Sequence, residues 1–396
     1  MGGFSRLPTH LRDGLDACAD LARRTASPQA MCNLGTVHLR ADDIHGAETW
    51  FREALRLAPD LPEAHQNLAA LLQDTGRQTE ARLHRERAFR HAPLRVEYAP
   101  GAKHRVLVLS CAGYGNVPIE ALLPRASITR LKFFVEYASA SDWAALPPYD
   151  VVFNAMGDAD LLPPGLWQKH LDGIDAVVLN PPARVARTRR DHLPALLAGL
   201  PDVVVPKVIR RVDPTQTADL HYPLLVRPIG AHGGDGVTLA AEPNAVLPGE
   251  AYLTEYHDYR SEDGYFRKYR VIYIAGTPFP YHLAISPHWL VHYFSADMRE
   301  AAWKRAEEEQ FLTAPMAALG ARGHAAIAAI GQRLDMDYVG IDFSMLPDGR
   351  VLVFEANATM AVHLDDCPLM FDYKHQAVPR ILTAFGDLLQ RRARGA

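Results

Sequence analysis

Two alternating segments folded about one turn constrain this chain more than any other stretch. Residues 338–346 and 351–357 flank Pro347-Asp348-Gly349-Arg350, a run of turn-forming residues, and so predict an antiparallel hairpin with a four-residue loop. Pairing Leu346 with Val351 sets Met345 opposite Leu352, Phe343 opposite Phe354 and Ile341 opposite Ala356, all on one apolar face. The other face then carries Asp342 against Glu355 and Gly340 against Asn357. Directly opposed side chains have Cβ atoms within about 5.5 Å, so two carboxylates there repel unless something neutralises them. A divalent cation such as Mg²⁺ would do so, with Asp342, Glu355 and Asn357 as hard oxygen ligands. Neighbouring Arg or Lys side chains, or protonation of one acid, would do so equally.

A second group of residues suits an anion. Residues 222–228 read as a strand ending in Arg227, and Gly230-Ala231-His232-Gly233-Gly234-Asp235-Gly236 follows at once. Without side chains, backbone N–H groups of such a loop can approach polyphosphate oxygens. The loop lacks the GxxxxGK[ST] spacing, and a plain hairpin beside a surface arginine is the alternative. Tyr252 to Tyr256 form a strand-like stretch able to offer backbone groups to an adenine edge. Farther on, Lys268 and Arg270 share one strand face by the period of two, as an anion site or as a solvated edge.

The first hundred residues repeat at an offset of 34: Asn33-Leu34 matches Asn67-Leu68, and Ala47, Ala54 and Pro59 match Ala81, Ala88 and Pro93. Small alanines let paired helices approach closely, and each proline closes a second helix. Leu34-Gly35, Ala47, Phe51, Ala54 and Pro59 resemble the tetratricopeptide pattern, repeated more weakly by the second unit, with Arg85 where an aromatic is usual. The resemblance covers about residues 26 to 95 and implies a groove for a peptide or protein partner, or a purely structural role. The amphipathic stretch Leu11 to Arg23 reads as a capping helix.

After a Pro/Gly linker at 98–102, an α/β pattern starts with the buried-strand run Val106-Leu107-Val108-Leu109. Further strands at 130–137, 151–154 and 176–180 predict an open, mostly parallel sheet with Gly113 to Asn116, Ala155 to Asp160 and Asn180 near its ligand-binding edge. The turn at Gly113 lacks the full dinucleotide fingerprint, which disfavours a Rossmann oxidoreductase. A net charge of −4 gives no basic excess for nucleic acid. The scattered Cys18, Cys32, Cys111 and Cys367 fit reduced thiols. With no apolar run of membrane-spanning length, the expectation is a soluble, cytoplasmic protein with no membrane partner.

Arg227 with the glycine loop, Tyr252 to Tyr256, Arg270, Gly340-Ile341-Asp342-Phe343 and Phe354-Glu355-Ala356-Asn357 occur in the order seen in ATP-grasp enzymes. The chain resembles the group of glutathione synthetase and D-alanine:D-alanine ligase over about residues 103 to 390. That resemblance implies an α/β fold, an α+β ATP-grasp body behind an open α/β domain, with the all-α repeat module in front. The implied divisions are 1–97, 103–183 and 184–390. It further implies ATP and Mg²⁺ as cofactors and phosphate contacts from Arg190 and Arg227, both standing where lysines are common. Nucleotide contacts are implied for His232, Gly233, Gly234, Gly236, Glu255 and Tyr256, and a phosphate or intermediate contact for Arg270. Metal is implied at Asp342, Glu355 and Asn357.

The implied chemistry is carboxylate–amine ligation through an acyl phosphate on a small amino-acid or peptide substrate, with homodimerisation left open. Residues 281–286, 289–293 and 359–363 are candidates for the acceptor pocket, with His282, His288, His292 and especially His363 as proton carriers or structural residues. An ATP-grasp phosphotransferase and a nucleotide-binding scaffold whose repeats bind a protein are the alternatives.

Overall fold

Helical pairing and sheet pairing divide the chain, in a computed structural model that describes residues 9–161, 168–212, 220–231, 234, 236–243, 249–364 and 370–394. One unit comprises Met1–Arg95, Cys111–Tyr114 and Lys132–Pro147, and the other Val96–Ser110, Gly115–Leu131 and Pro148–Ala396. His232, Gly233 and Cys367 lie outside the described residues.

The first unit carries α1 (Thr9–Arg24), α2 (Pro28–Arg40), α3 (Ile44–Leu57), α4 (Pro62–Asp74) and α5 (Gln78–Phe89). Ser27 and Asp43 cap α2 and α3, accepting hydrogen bonds from the N–H groups of Ala30 and Gly46. Of the positions related by the offset of 34, Leu34, Ala47 and Ala54 and their counterparts Leu68, Ala81 and Ala88 are buried, whereas Asn33 and Pro59 are exposed; Phe51 is buried too, and Arg85 at the matching place is half-buried. Gly35 shows why smallness matters, since a Cβ there would come within 2.5 Å of the Phe51 ring. From α1, Ala19 and Ala22 join the same apolar cluster. A polar pair is buried between α4 and α5. His65 Nδ1 lies 2.7 Å from His84 Nδ1, and His65 Nε2 lies 2.7 Å from the Pro59 carbonyl. Two neutral rings satisfy this chain if His65 donates to Pro59 and His84 donates to His65.

Among the described residues three sheets follow. β1 (Leu94–Glu97), β2 (His104–Ser110), β3 (Ile128–Phe134), β4 (Val151–Asn154) and β5 (Val178–Leu179) form a sheet of order β1-β3-β2-β4-β5, in which β2, β4 and β5 run parallel. The strand expected over 130–137 ends at Phe134, where a 3₁₀ turn begins. Next come β6 (Val203–Val204), β7 (Val208–Arg211), β8 (Leu224–Pro228), β9 (Thr238–Ala240) and β10 (Ala251–Glu255); all but β6 make an antiparallel sheet of order β7-β10-β8-β9. The third sheet takes β11 (Phe266–Ile274), β12 (Thr277–Ser286), β13 (Tyr338–Met345) and β14 (Val351–Asn357) in the order β12-β11-β13-β14-β6.

The helices Ala302–Thr313 and Pro315–Leu334 pack Phe311, Ile327 and Ile330 with Tyr269, Val271 and Phe343 of the third sheet. The helix Lys374–Arg394 sets Val378, Ile381 and Phe385 among Ile272 and Tyr338 of that sheet and Val108 and Phe153 of the first. No described helix is long and apolar enough to cross a membrane.

The β13–β14 hairpin departs from the expected register next to its turn. Leu346 N–H donates to Arg350 O at 2.8 Å and Gly349 takes φ +83°, so the loop is three residues rather than four. Met345 therefore faces Val351, Ser344 faces Leu352 and Phe343 faces Val353. The pairing then skips Phe354, and the resulting bulge restores Asp342 opposite Glu355, Ile341 opposite Ala356 and Gly340 opposite Asn357.

Candidate active site

Four successive strands of the third sheet place His282, Arg270, Asp342 and Glu355 side by side in register. Neighbouring strands lie about 4.8 Å apart, so this is one continuous polar row. A bulge sits at each end. Tyr281 is skipped between β11 and β12 as Phe354 is between β13 and β14, and all four row members, with both bulged aromatics, line one cavity of about 390 Å³. A bulge re-aims side chains that strict alternation would send to the other face.

The row neutralises its acids with cations. Arg270 Nε and Nη2 grip Asp342 Oδ1 and Oδ2 at 2.6 and 2.8 Å, and Lys268 Nζ lies 3.5 Å from Oδ2. Burial by itself would raise the Asp342 carboxyl, but Arg270 and Lys268 outweigh it and hold it well below the usual range. Arg190 donates to Glu355 Oε2. Burial pushes that carboxyl up and Arg190 pulls it down, against the push of Asp342, for a net lowering. The closeness that called for a neutraliser is thus relieved here by arginine and lysine.

Arg227, on β8 opposite Tyr252, lines the same cavity. It makes no hydrogen bond or ion pair among the described residues. Burial first and Arg190 second pull its guanidinium down to about 10, as for a cation held without an acid of its own. Arg190, Arg227, Lys268, Arg270, Arg299 and Lys374 therefore face the cavity, with Glu255, Asp342 and Glu355 as the acids among its lining residues. Gly234 lines it as well, at φ +93°, and Gly236 takes φ +65°.

Glu255 and Tyr256 reach the cavity too, but the Glu255 carboxylate is taken by His221, through its backbone N–H at 2.9 Å and its Nδ1 at 3.0 Å. Their backbone N–H groups donate to Lys207 and Pro223 carbonyls. The Tyr256 ring stands edge-on to Trp289. His363 lines the cavity as well, and its backbone N–H donates to Tyr281 Oη at 3.1 Å.

Asn357 stands apart from the two acids. Its Oδ1 accepts from Thr359 N–H and Thr359 Oγ1, both at 2.8 Å, and it lines a smaller neighbouring cavity with Asp158, Asp160 and Arg189. Among the described residues no group of three or more His, Cys, Asp or Glu could hold a metal ion. The two carboxylates fit Mg²⁺ as hard donors standing opposite each other, whereas both lone pairs of the Asn357 oxygen are already engaged by the turn after β14.

Several sequence expectations meet different fates. Asp158, Ala159 and Asp160, expected near a site, line the smaller cavity. Asn180 does not belong with them: it is fully buried, donating from N–H to Asp337 Oδ2 at 2.9 Å and from Nδ2 to Tyr338 O at 2.7 Å, while its Oδ1 accepts from Tyr338 N–H. That is a structural joint between β5 and β13. Gly113 to Asn116 line neither cavity. Leu352 and Phe354, expected on the apolar face of the hairpin, line the larger one, as does Lys374, which was not singled out and is paired with the buried Glu308 at 3.4 Å. No local pattern marks Lys374, which opens a helix far along the chain.

No family model and no curated protein matches this chain. Among solved structures, it is similar to a D-alanine–D-alanine ligase from Bacillus anthracis complexed with ATP, at 13% identity and a TM-score of 0.46, covering 74% of this chain and 99% of that one. It is similar to the VanG D-Ala:D-Ser ligase from Enterococcus faecalis at 13% identity and a TM-score of 0.45, covering 72% and 99%. It is also similar to a RimK domain protein ATP-grasp from Sphaerobacter thermophilus at 15% identity and a TM-score of 0.40, covering 73% and 99%. Likeness at this level carries no functional argument.

Proposed function

We propose that this chain is an ATP-dependent carboxylate–amine ligase of the ATP-grasp kind, forming an amide or peptide bond on an amino-acid or peptide substrate through an acyl phosphate. One observation carries the reading: six cations line a cavity with three acids, and one of them, Arg227, makes no hydrogen bond or ion pair among the described residues. A polyphosphate is the ligand whose charge completes that set.

In this reading Arg190 and Arg227 turn to the phosphate oxygens, joined by backbone N–H groups of the loop that contains His232, Gly233, Gly234 and Gly236. Adenine lies beside Glu255 and Tyr256. As Arg190 and Arg270 shift toward phosphate, Glu355 and Asp342 are left to hold Mg²⁺, and Asn357 joins them only if its side chain leaves Thr359. When bound, the ion neutralises phosphate charge and aligns the γ-phosphoryl group for in-line transfer. Arg270 steadies the charge on the transferring phosphoryl, and His363 lies at the substrate end. The substrate carboxylate oxygen attacks the γ-phosphorus and ADP departs. The amine nitrogen then attacks the acyl carbon, and phosphate leaves with the electron pair of the broken C–O bond. Exclusion of water protects the acyl phosphate between these steps.

The modules 1–97, 103–183 and 184–390, the first built of tetratricopeptide-like repeats, belong to the same proposal. Removing residues 1–95 is expected to spare ATP binding, and wholesale unfolding would refute that division. The decisive assay supplies carboxylate, amine or both: ADP and phosphate together only when both are present supports ligation. ADP with a stable phosphorylated product instead favours a phosphotransferase, and no nucleotide turnover at all leaves the scaffold reading. Glu355→Gln is expected to abolish ADP release with the fold intact by circular dichroism, and undiminished turnover would remove the metal assignment.

A further inference from the structure

Among the described residues the imidazole of His282 has no hydrogen-bond partner. It is only 7% exposed, lines the cavity, and makes no hydrogen bond among the described residues, with Nδ1 fully buried. A neutral imidazole has one donor and one acceptor nitrogen, and unmet polar groups of this kind are uncommon in folded interiors. Its ring is 5.3 Å from that of Tyr281 and 4.9 Å from that of Tyr293, so aromatic faces hold it in place without using its nitrogens. The bulge at Tyr281 and the register of β12 set it directly opposite Arg270.

We propose that His282 and the aromatic wall of Trp289, Tyr293 and Phe294 form the acceptor subsite, which receives a primary amine carried on a large apolar group and orients its nitrogen by hydrogen bonding. This rests on the ligase reading above. Three observations support it. The position is one strand away from Arg270, the group beside which the acyl phosphate would form. Burial and then Arg270 push the ring's basicity far down, so it stands as a neutral hydrogen-bonding group rather than a cation. Arg270 and Lys268, on the same sheet face, disfavour an ammonium and so favour the free amine, the form with a nucleophilic lone pair. The wall is large and apolar, and Phe294 is 81% exposed while lining the cavity, an aromatic surface open to a ligand. In the step itself the amine lone pair makes the C–N bond, the C–O bond to phosphate breaks, and the proton shed by nitrogen leaves with the phosphate.

The test uses the full chain with Mg²⁺ and ATP. Each of the twenty amino acids is offered as carboxylate donor with hydroxylamine, a small nucleophile that needs no apolar wall, and hydroxamate is measured. With the best donor, phenylalaninamide and glycinamide are compared as acceptors. The expected result is a kcat/KM for phenylalaninamide at least about tenfold above that for glycinamide. His282→Ala should lower the phenylalaninamide value by about 30-fold, the cost of one buried hydrogen bond, while the KM for ATP stays within twofold. His282→Gln should recover part of the loss. An unchanged amine kcat/KM in His282→Ala overturns the proposal, and so does a rise in the KM for ATP as large as the fall in kcat/KM, which would mark a structural role. If the unmodified protein yields neither hydroxamate nor ADP with any donor, the ligase reading on amino acids fails and takes this subsite with it.

Discussion

The helical unit buries its polar pair as neutral rings, whereas the third sheet buries its polar row as charges. His65 and His84 complete each other's hydrogen bonds with the help of the Pro59 carbonyl, and nothing between them calls for a further group. The row from His282 to Glu355 closes where Arg270 meets Asp342 and where Arg190 meets Glu355, and among the described residues it leaves His282 and the nearby Arg227 unmet. A closed polar cluster contributes to the fold. An open one costs stability and is informative about a ligand, since something from outside must complete it.

The contrast is most exposed at Asp342. Asp342→Asn strips the charge from beside Arg270 and Lys268, and should destabilise the second unit by about 3 kcal/mol in urea unfolding; a loss below about 1 kcal/mol would mean the row is not held by charge. Arg227→Met reverses the pattern. With no acid partner to orphan, it should leave the unfolding midpoint unchanged or slightly raised, while calorimetry finds ATP binding weakened by about 2 kcal/mol. A destabilised variant with normal ATP affinity would contradict the view of Arg227 as a cation awaiting a ligand.

The histidine pair should respond to pH. Burial, then His65 and Arg52, lower the His84 pKa to about 4 from 6.5, and His65 is lowered too, mainly by burial. The unfolded chain therefore takes up the His84 proton first as pH falls. Stability from keeping that ring neutral is complete above about pH 6.5 and is lost as pH descends toward 4. Between pH 7.5 and 5 this amounts to about 2 kcal/mol. The helical unit's unfolding transition should carry this dependence, and His84→Leu should remove it; an identical pH response in the variant would show that the pair is not the source. The smallest effect is expected at Asn357. Asn357→Ala forfeits the bonds from Thr359, about 1 kcal/mol, and should lower turnover less than tenfold. Loss as complete as that of Glu355→Gln would place Asn357 among the ion's ligands after all.

Much of this was legible beforehand because periodicity reports on faces. Alternation about Pro347 to Arg350 placed Asp342 against Glu355, and the offset of 34 picked out the alanines that the helices bury. The register beside the turn was not legible: Gly349 in the left-handed region shortens the loop by one residue, and the Phe354 bulge then cancels the shift. Phe354 packs against Tyr259, nearly a hundred residues earlier, a contact no local pattern contains. Asn180 misled for a related reason, since a polar residue at a strand end reads alike whether it faces a ligand or staples two strands.

The order of residue types along the chain by itself determined that acids would oppose each other on one sheet face and that cations would be available nearby. Only the tertiary structure decided which cation meets which acid: Arg270 takes Asp342, Arg190 takes Glu355, and Arg227 is left without either. Secondary structure follows from spacing over a few residues. Charge pairing depends on distances of a few ångströms between segments far apart in sequence, and those distances exist only once the sheets have packed.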